Sequence, residues 1–200
     1  MESLADSKVW ADYNAAQADR PVRPLCIEAM SFAGQGNGRR AIDLGCGAGK
    51  ETLALLRDGW RVHAVDSLLD TRERLLGIVP TDADGRLSIE VRPFQELRDL
   101  PAADLIFAGY SLPFIRPAEF GRFWWMMLGA LRREGVVAVN LFGDRDSWAD
   151  VPEWNFHTEV EARRLFDGLQ IQTFEVYDAE GLSFRGPKHW HIYDVIARQL

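Results

Sequence analysis

Cysteine is scarce in this chain of 200 residues, since only Cys26 and Cys46 occur. Two cysteines cannot form the disulfide framework of a small secreted domain, so a reducing cytoplasm is the expected compartment. Long hydrophobic runs are missing too, and none reaches the roughly 20 residues of a membrane helix. Residues 1–6 are acidic and contain no hydrophobic signal region. We therefore predict a cytoplasmic protein with no membrane partner.

An excess of positive charge is also lacking, because 23 Lys and Arg residues stand against 30 Asp and Glu residues, for a formal net charge of −7. Nucleic-acid binding requires basic residues that replace the counterions on phosphates, so we expect no nucleic-acid partner. Apolar residues make up 47% of the chain, which is enough for the core of one domain of ordinary size. We expect residues 1–200 to form a single domain, as a monomer or a homodimer, with a small molecule as its substrate.

Short segments of strand character recur along the chain between turn residues. They predict seven β-strands, at residues 41–44, 61–66, 87–91, 105–108, 136–142, 170–177 and 190–197. Helical segments lie between most of them, which is typical of an α/β fold with a mostly parallel sheet. The last two strands have no helix between them, so they must form a hairpin and the final strand must be antiparallel. Residues 178–188, with two Gly and one Pro, predict a long hairpin loop.

The strongest helical pattern places six apolar residues on one face. These residues are Phe120, Phe123, Trp124, Met127, Leu128 and Leu131. Weaker helical patterns cover residues 52–57 and 68–76. Thr158 and Glu161 have the spacing of a capping box, which predicts that another helix starts there.

The most specific feature of the sequence is the glycine-rich turn DLGCGAG at residues 43–49, between a predicted strand and a predicted helix. Glycine lets the backbone approach a ligand closely, and a helix start presents unpaired N–H groups. A phosphate loop requires glycine where Leu44 stands and Ser or Thr where Glu51 stands. A dinucleotide loop requires glycine at Lys50, and Asp43 would repel its pyrophosphate. Neither match is complete, and the pattern that remains is Asp-x-Gly-x-Gly-x-Gly.

This pattern resembles the first motif of the class I S-adenosylmethionine-dependent methyltransferases, whose cofactor has no phosphate. The resemblance spans roughly residues 39–200. It implies a Rossmann-like fold, in which helices cover both faces of a seven-stranded, mostly parallel sheet with an antiparallel last strand. A narrower likeness to tellurite-resistance-like and other small-molecule methyltransferases of bacteria lies in residues 19–21, 47–53, 141–146 and 188–191.

The resemblance implies an enzyme that uses S-adenosyl-L-methionine as its cofactor and transfers a methyl group to a small-molecule acceptor. Two alternatives remain open. One is detoxifying methylation of an inorganic oxyanion or a thiol, and the other is a non-catalytic subunit that binds S-adenosylmethionine and regulates a partner. A nucleic-acid methyltransferase is disfavoured by the acidic balance and by the lack of an Asn/Asp-Pro-Pro-Tyr/Phe motif in the sequence.

The resemblance assigns the cofactor contacts to four segments. These are Asp43, Gly45, Cys46, Gly47 and Gly49 at the methionine part, Asp66, Ser67 and Leu68 at the ribose, Phe94, Gln95 and Glu96 at the adenine, and Gly109 with Tyr110 beside the sulfonium. Asp66 also has support from chemistry, because it ends the second predicted strand and its carboxylate can accept both ribose hydroxyls. As an alternative, Asp66 caps a helix before Leu68. Gln95 departs from the family, which often has Asp at that place.

Residues 1–36 contain two helical pieces divided near two prolines, and they predict an N-terminal lid on a core of residues 37–200. A lid over the cofactor would exclude water from the reaction. Within it, Arg20 and Tyr13 are candidate cofactor contacts, because a guanidinium group suits the cofactor carboxylate. The alternative for Arg20 is a surface charge at the end of a helix.

Ligands of open α/β sheets bind at the carboxyl ends of the strands. Tyr110 follows the fourth predicted strand there, and the antiparallel last strand starts at the same edge, near His189 and His191. Methyl transfer requires alignment of the reacting atoms at about 3–3.5 Å, and it requires a base only if the nucleophile carries a proton. His189 is the first candidate base, followed by His191 and His157, and the alternative for each is a hydrogen-bonded strand histidine. We expect no metal site, because these histidines lack partners at ligand spacing.

The chain contains seven Trp residues, a high number for its length. Trp124 lies on the apolar helix face and belongs in the core. Trp10, Trp148, Trp154 and Trp190 lie in or beside the predicted lid and rim. A pocket lined by such rings would suit a planar or a cationic acceptor.

Overall fold

The centre of the structure, a computed structural model that describes residues 7–80, 83 and 85–200, is a sheet of eight strands. The strands are β1 (Arg40–Leu44), β2 (Arg61–Asp66), β3 (Leu87–Val91), β4 (Ala103–Ala108), β5 (Leu131–Gly143), β6 (Phe156–His157), β7 (Leu169–Ser183) and β8 (Gly186–Gln199). The helices are α1 (Ser7–Ala16), α2 (Pro24–Ala33), α3 (Lys50–Arg57), α4 (Thr71–Ile78), α5 (Pro117–Ala130) and α6 (Glu159–Arg164). Residues 1–6, the start of the predicted lid, lie outside the described residues.

Seven of the strands follow the order β3-β2-β1-β4-β5-β8-β7, and the two-residue β6 pairs with the end of β5. Strands β1 to β5 are parallel to one another, whereas β8 is antiparallel to both β5 and β7. The predicted α/β fold, with seven main strands and an antiparallel last strand, is confirmed. β6 escapes sequence prediction because two residues cannot show a period.

The hairpin of β7 and β8 differs from its prediction. The long loop expected at residues 178–188 is wrong, because the two strands stay paired up to a turn of only Phe184 and Arg185. Gly181, which favoured a loop, lies inside β7, where a Cβ would stand only 2.9 Å from the indole of Trp190. The extended hairpin carries the turn as far as α1.

Helices pack on both faces of the sheet, as predicted. On one face α5 buries its apolar stripe, which includes Phe123, Trp124 and Met127. On the other face α2 and α3 pack around Leu55 and Trp60. Burial of each such side chain stabilises the fold by about 1.5–3 kcal/mol. The core thus holds the sheet rigid beneath its strand ends, and Trp124 is a core residue as expected.

The N-terminal segment confirms the two predicted helical pieces within the described residues. α2 packs against β4 and β5 and begins at Pro24, a position where proline's missing N–H costs no hydrogen bond. α1 lies at the carboxyl ends of the parallel strands, with the ring of Trp10 4.8 Å from that of Phe114. A Cβ at Gly47 would stand 2.9 Å from Asn14 Oδ1. Within the described ranges, no helix is long and apolar enough to cross a membrane.

Candidate functional site at the carboxyl ends of the strands

The glycine-rich turn joins β1 to α3 through a backbone that other residues rarely adopt. Gly45, Gly47 and Gly49 have φ angles of +75°, +47° and +76°, in the left-handed region that glycine enters without a Cβ clash. The N–H groups of Gly45 and Cys46 donate to the carbonyl oxygen of Val65 at 2.8 and 3.1 Å. The glycines are therefore required by the turn itself, which crosses from the end of β1 to the end of β2.

Asp43 supports this turn from inside the protein. Its side chain is buried, with 1% of the residue exposed, and it accepts a hydrogen bond from the Thr52 hydroxyl at 2.6 Å. Burial, together with the nearby charge of Glu51, raises the pKa of Asp43 to about 7. Burial also raises the pKa of the Cys46 thiol well above its ordinary value. Asp43 thus fixes α3 behind the turn, and Cys46 is not a reactive thiolate.

Asp66 lies at the end of β2 and holds the turn from the outside. Its Oδ2 accepts from the N–H of Gly47 at 2.8 Å, and its Oδ1 accepts from the N–H of Leu68 at 3.1 Å. The alternative of a helix cap fails, because α4 begins later, with Asp70 at its N-cap position. Ser67 is exposed and Leu68 is buried. Asp66 therefore links the ends of β1 and β2.

The segment predicted to meet adenine forms a short 3₁₀ turn after β3, at Phe94–Glu96. The Phe94 ring is 4.8 Å from that of Phe123, and it would lie 3.7 Å from a Cβ at Gly45. Gln95 and Glu96 are exposed. The structure brings Phe94 to the glycine turn, whereas the other two side chains face solvent.

Tyr110, directly after β4, combines an unusual backbone with a buried phenol. Its φ is +54°, a conformation that is costly for a bulky residue and is typical of functional sites. Its N–H donates to Oδ1 of buried Asn140 at 3.1 Å, and Asn140 donates in turn to Asp194. Burial raises the pKa of Tyr110 to about 12. Its neighbour Gly109 is forced by packing, because a Cβ there would stand 2.7 Å from the Phe107 ring.

Asn140 and Asp194 were missed by sequence reasoning. The signal that points to them is a polar residue inside an apolar run, Asn140 within residues 136–142 and Asp194 within residues 192–197. The two residues face each other in the β5–β8 register. A cross-strand contact of this kind cannot be assigned before the pairing is known.

A cavity of about 60 Å³ lies beside Tyr110, under α1. Eight of its ten lining residues are aromatic, and the lining comprises Val9, Trp10, Tyr13, Tyr110, Phe114, Phe142, Trp148, Phe184, Arg185 and Trp190. The ring of Trp154 packs against that of Trp148, with 5.3 Å between the ring centroids. The neighbouring Ser111 donates from its hydroxyl to the carbonyl oxygen of Leu44 at 2.7 Å, so the cavity wall is tied to the glycine turn.

A buried ion pair lies behind two of the cavity's rings. Lys188 contacts Asp146, and their side chains are 3% and 0% exposed. The Lys188 Nζ is 3.3 Å from the ring centroid of Trp148 and 3.8 Å from that of Trp190. Sequence reasoning did not find this pair, because its partners are 42 residues apart.

His189 does not reach the cavity. Side chains alternate along β8, so Trp190 lines the cavity while His189 and His191 lie on the opposite face of the strand. His189 contacts Asp178 and Glu180 at 2.6 and 3.0 Å, and both contacts raise its pKa. Carboxylate contacts that stabilise the protonated form make a histidine a weaker choice for accepting a proton from the acceptor. The geometry therefore does not support the expected role of His189.

The other two candidate histidines, His191 and His157, make contacts that indicate a structural role. Burial lowers the pKa of both His191 and His157. His191 accepts the backbone N–H of Arg145 at its Nδ1, at 3.1 Å, and the His157 ring packs 5.2 Å from that of Phe120. His191 matches the alternative of a hydrogen-bonded strand histidine, whereas the Nε2 of His157 is buried without a hydrogen-bond partner among the described residues. In the described part of the chain, no three His, Cys, Asp or Glu residues form a group that could hold a metal ion.

The lid is attached to the start of α3 by a buried ion pair. Arg20 donates from both terminal nitrogens to the carboxylate of Glu51 at 2.6 Å, and the N–H of Arg23 donates to the same carboxylate at 3.0 Å. Although burial opposes it, Arg20 lowers the pKa of Glu51. Tyr13 accepts from the guanidinium of Arg23 at 3.2 Å. Arg20 therefore stands beside the glycine turn, although its terminal nitrogens are engaged by protein.

Comparisons with known proteins identify the fold. No family model and no curated protein matches the sequence. Among solved structures, TehB from Haemophilus influenzae is similar, with 15% identity and a TM-score of 0.76 over 96% of this chain and 67% of that one. A 1,6-didemethyltoxoflavin-N1-methyltransferase from Burkholderia thailandensis, crystallised with 1,6-didemethyltoxoflavin and S-adenosylhomocysteine, has 19% identity and a TM-score of 0.71 over 96% and 84%.

A third similar structure is the [4+2]-cyclase SpnF, with 15% identity and a TM-score of 0.65 over 88% of this chain and 79% of that one. The fold of this chain is thus the class I methyltransferase fold. Because that fold also carries a cyclase, the reaction must be argued from the site.

Proposed function

We propose that this chain is an S-adenosylmethionine-dependent methyltransferase that binds its cofactor at the glycine turn and methylates a small molecule in the aromatic cavity. The observation that carries this proposal is the left-handed turn at residues 45–49, held by Asp66 and adjoined by the cavity wall at Tyr110. The bound S-adenosylhomocysteine of the didemethyltoxoflavin methyltransferase supports the choice of cofactor.

The residues around the turn fit this cofactor in three respects. Asp66 uses one acceptor site on each oxygen, which leaves lone pairs for ribose hydroxyls. The buried Nε of Arg20 has no hydrogen-bond partner in the structure, so an N–H is left for the cofactor carboxylate. Lys50 stands where a dinucleotide-binding turn has its last glycine, so the turn suits a ligand without a pyrophosphate. When bound, the cofactor supplies a methyl group activated by a positive sulfonium.

The chain's own residues orient the acceptor and exclude water. Trp10 and Tyr13 of α1 cover the cavity, which keeps the reacting atoms in a dry site. The Tyr110 phenol stays protonated near neutral pH, because burial raises its pKa to about 12, so it acts as a hydrogen-bond donor and not as a base. Because the described residues that line the cavity include no histidine, we favour an acceptor whose nucleophile is unprotonated at neutral pH.

The small size of the cavity bears on how an acceptor would enter it. Its volume of about 60 Å³ is well below the ~150 Å³ of a cavity that admits benzene. A ring-bearing acceptor therefore enters only when α1 withdraws. Eight aromatic residues offer ring contacts to a planar organic acceptor, and this favours an organic acceptor over an inorganic oxyanion.

Cofactor binding is tested by calorimetry with S-adenosylhomocysteine on the native protein and on Asp66→Ala. We expect at least tenfold weaker binding in the variant, because each lost bond to a charged acceptor costs roughly 1.5–3 kcal/mol. The matched control is Asp104→Ala, which removes another carboxylate that accepts a backbone N–H, that of Arg40 at 3.0 Å, at the start of β4. Equal affinity of Asp66→Ala and native protein would reject the ribose role.

Turnover separates an enzyme from a regulatory subunit. Formation of S-adenosylhomocysteine from S-adenosylmethionine is followed with a panel of phenols, aromatic carboxylates, heterocycles, thiols and the oxyanion tellurite. Turnover with an organic acceptor supports the proposal. Cofactor binding without turnover on any acceptor would favour the regulatory alternative, and turnover only with an oxyanion or a thiol would favour the detoxification alternative.

A further inference from the structure

The ammonium of Lys188 lies among three aromatic rings. Its Nζ is 3.3 Å from the centroid of Trp148, 3.8 Å from that of Trp190 and 5.1 Å from that of Phe142. Proteins that bind a cationic ligand use rings in this way, because the ring face is electron-rich. Here the cation comes from the chain itself, and all three rings also line the cavity.

Asp146 holds this ammonium in place. One of its oxygens contacts Lys188 and accepts the N–H of Trp148 at 3.0 Å, and the other accepts the N–H of His191 at 3.2 Å. The carboxylate is therefore satisfied by protein groups and is not part of the cavity lining. Burial lowers the pKa of Lys188, and the contact with Asp146 counteracts that effect.

Two further cations stand at the same cavity. The guanidinium of Arg23 lies 4.4 Å from the centroid of the Tyr110 ring, and Arg185 lines the cavity at the hairpin turn. No acidic residue occurs among the described residues of the lining. Asp194, whose charge acts on Tyr110, is hydrogen-bonded by Asn140. Tyr110, Trp148 and Trp190 thus each carry a cation of the protein.

We propose that the cavity selects a planar aromatic acceptor that is anionic or neutral and rejects a cationic one, and that Lys188 sets this preference. The inference rests on the proposed function, whose acceptor site is this cavity. An indole that already holds one cation attracts a second one weakly, and the ammonium is the end of the Lys188–Asp146 pair that lies against the rings. A planar ring still gains offset or edge-on contacts with the same indoles, and a negative substituent is attracted by Lys188 and Arg185.

The test compares three probes of the same shape: benzoate, benzyl alcohol and benzylammonium. Their affinities are measured by tryptophan fluorescence on the full chain, with S-adenosylhomocysteine present. For the native protein we expect benzoate to bind at least tenfold more tightly than benzylammonium, with benzyl alcohol between them. In Lys188→Met the benzoate preference should fall at least fivefold, because Trp148 and Trp190 then no longer hold a cation of the protein and attract benzylammonium more strongly.

Three further variants make the test decisive. Lys188→Arg keeps the charge and should keep the preference. Arg163→Met removes a guanidinium 3.8 Å from the Phe174 ring, remote from the cavity lining, and should leave the preference unchanged. If Lys188→Met does not fold because Asp146 is left buried and unpaired, the double variant Lys188→Met/Asp146→Leu replaces it, with the same expected loss.

Equal or tighter binding of benzylammonium to the native protein would overturn the inference, as would an unchanged preference in the variants that lack Lys188. Failure to bind any of the three probes would also overturn it. Affinity for S-adenosylhomocysteine, measured separately, distinguishes the two failures. Its absence contradicts the proposed function, whereas its presence together with a failed probe test contradicts only the acceptor class.

Discussion

At the scale of single residues, Asp43 should make the stability of the protein depend on pH. Its pKa is about 7 in the folded chain against 3.8 as the ordinary value, so the folded state holds this proton more tightly than the unfolded state. Its stabilising contribution is complete below pH 3.8 and is lost as the pH rises through about 7. Between pH 5.5 and pH 8 the loss is about 2 kcal/mol.

The variant Asp43→Asn isolates this effect, because the amide oxygen can still accept the Thr52 hydroxyl and no longer titrates. Urea unfolding at pH 5.5 and pH 8 should show a smaller loss of stability in the variant than in the native protein. Other titrating groups are common to both proteins and cancel in the comparison. The same change with pH in both would mean that Asp43 is ionised throughout.

A second prediction at this scale concerns the roles of Tyr110 and His189 in methyl transfer. Tyr110→Ala removes a cavity wall next to the glycine turn and should lower the rate of S-adenosylhomocysteine formation at least tenfold. His189→Ala should leave that rate within twofold, because His189 lies on the opposite face of β8, paired with Asp178 and Glu180. Initial rates with one acceptor check both variants. A large loss in His189→Ala would restore the histidine hypothesis.

Sequence reasoning could find some site residues and not others, for a physical reason. The glycine turn and Asp66 can be recognised from the local sequence. The left-handed backbone angles of the turn require glycine at fixed spacing, and Asp66 stands at the end of a predicted strand. The Lys188–Asp146 pair depends on how β8 meets the loop after β5, and no local pattern encodes that. The histidines were misplaced because one residue of register decides which face of a strand a side chain occupies.

At the scale of elements, the predicted lid is tied to α3 by the ion pair of Arg20 with Glu51, in addition to the ring contact of Trp10 with Phe114. Glu51→Gln leaves the guanidinium of Arg20 without its charged partner, and breaking such a pair costs about 3 kcal/mol. We expect lower stability and faster hydrogen exchange in α1. The control Lys8→Met breaks an exposed pair with Asp12 in the same helix and should cost less than about 1 kcal/mol. Equal exchange in α1 of Glu51→Gln and native protein would show that another contact holds the lid.

Helices and strands were predictable where a hydrophobic pattern or a capping motif covers enough residues. α5 repeats its apolar face over several turns, and the capping box of α6 forms as its spacing predicts, with Thr158 accepting from Glu161 and Glu161 accepting from Thr158. The hairpin itself was predicted, but the extension of its strands through residues 178–188 was not, because Gly181 and Pro187 are typical of loops. They are tolerated in strands here because Trp190 packs against Gly181 and Pro187 follows the first residue of β8.

At the scale of the whole molecule, the glycine turn, Asp66 and the lid all rest on the ends of the same parallel strands. A ligand that binds only the folded state therefore stabilises the domain as a unit. At a concentration 100 times its dissociation constant, S-adenosylhomocysteine should add about 2.7 kcal/mol to the free energy of unfolding. For a domain of this size, that raises Tm by about 5–11 °C.

The dinucleotide NAD⁺ is the informative comparison in this thermal test, because it shares the adenosine and adds a pyrophosphate. Lys50 stands where a dinucleotide-binding turn requires its last glycine, so we expect no rise in Tm with NAD⁺ under the same conditions. The Asp66→Ala variant, measured at the same ligand concentration, should lose most of the rise seen with S-adenosylhomocysteine. A rise with NAD⁺ as large as that with S-adenosylhomocysteine would instead favour the dinucleotide alternative.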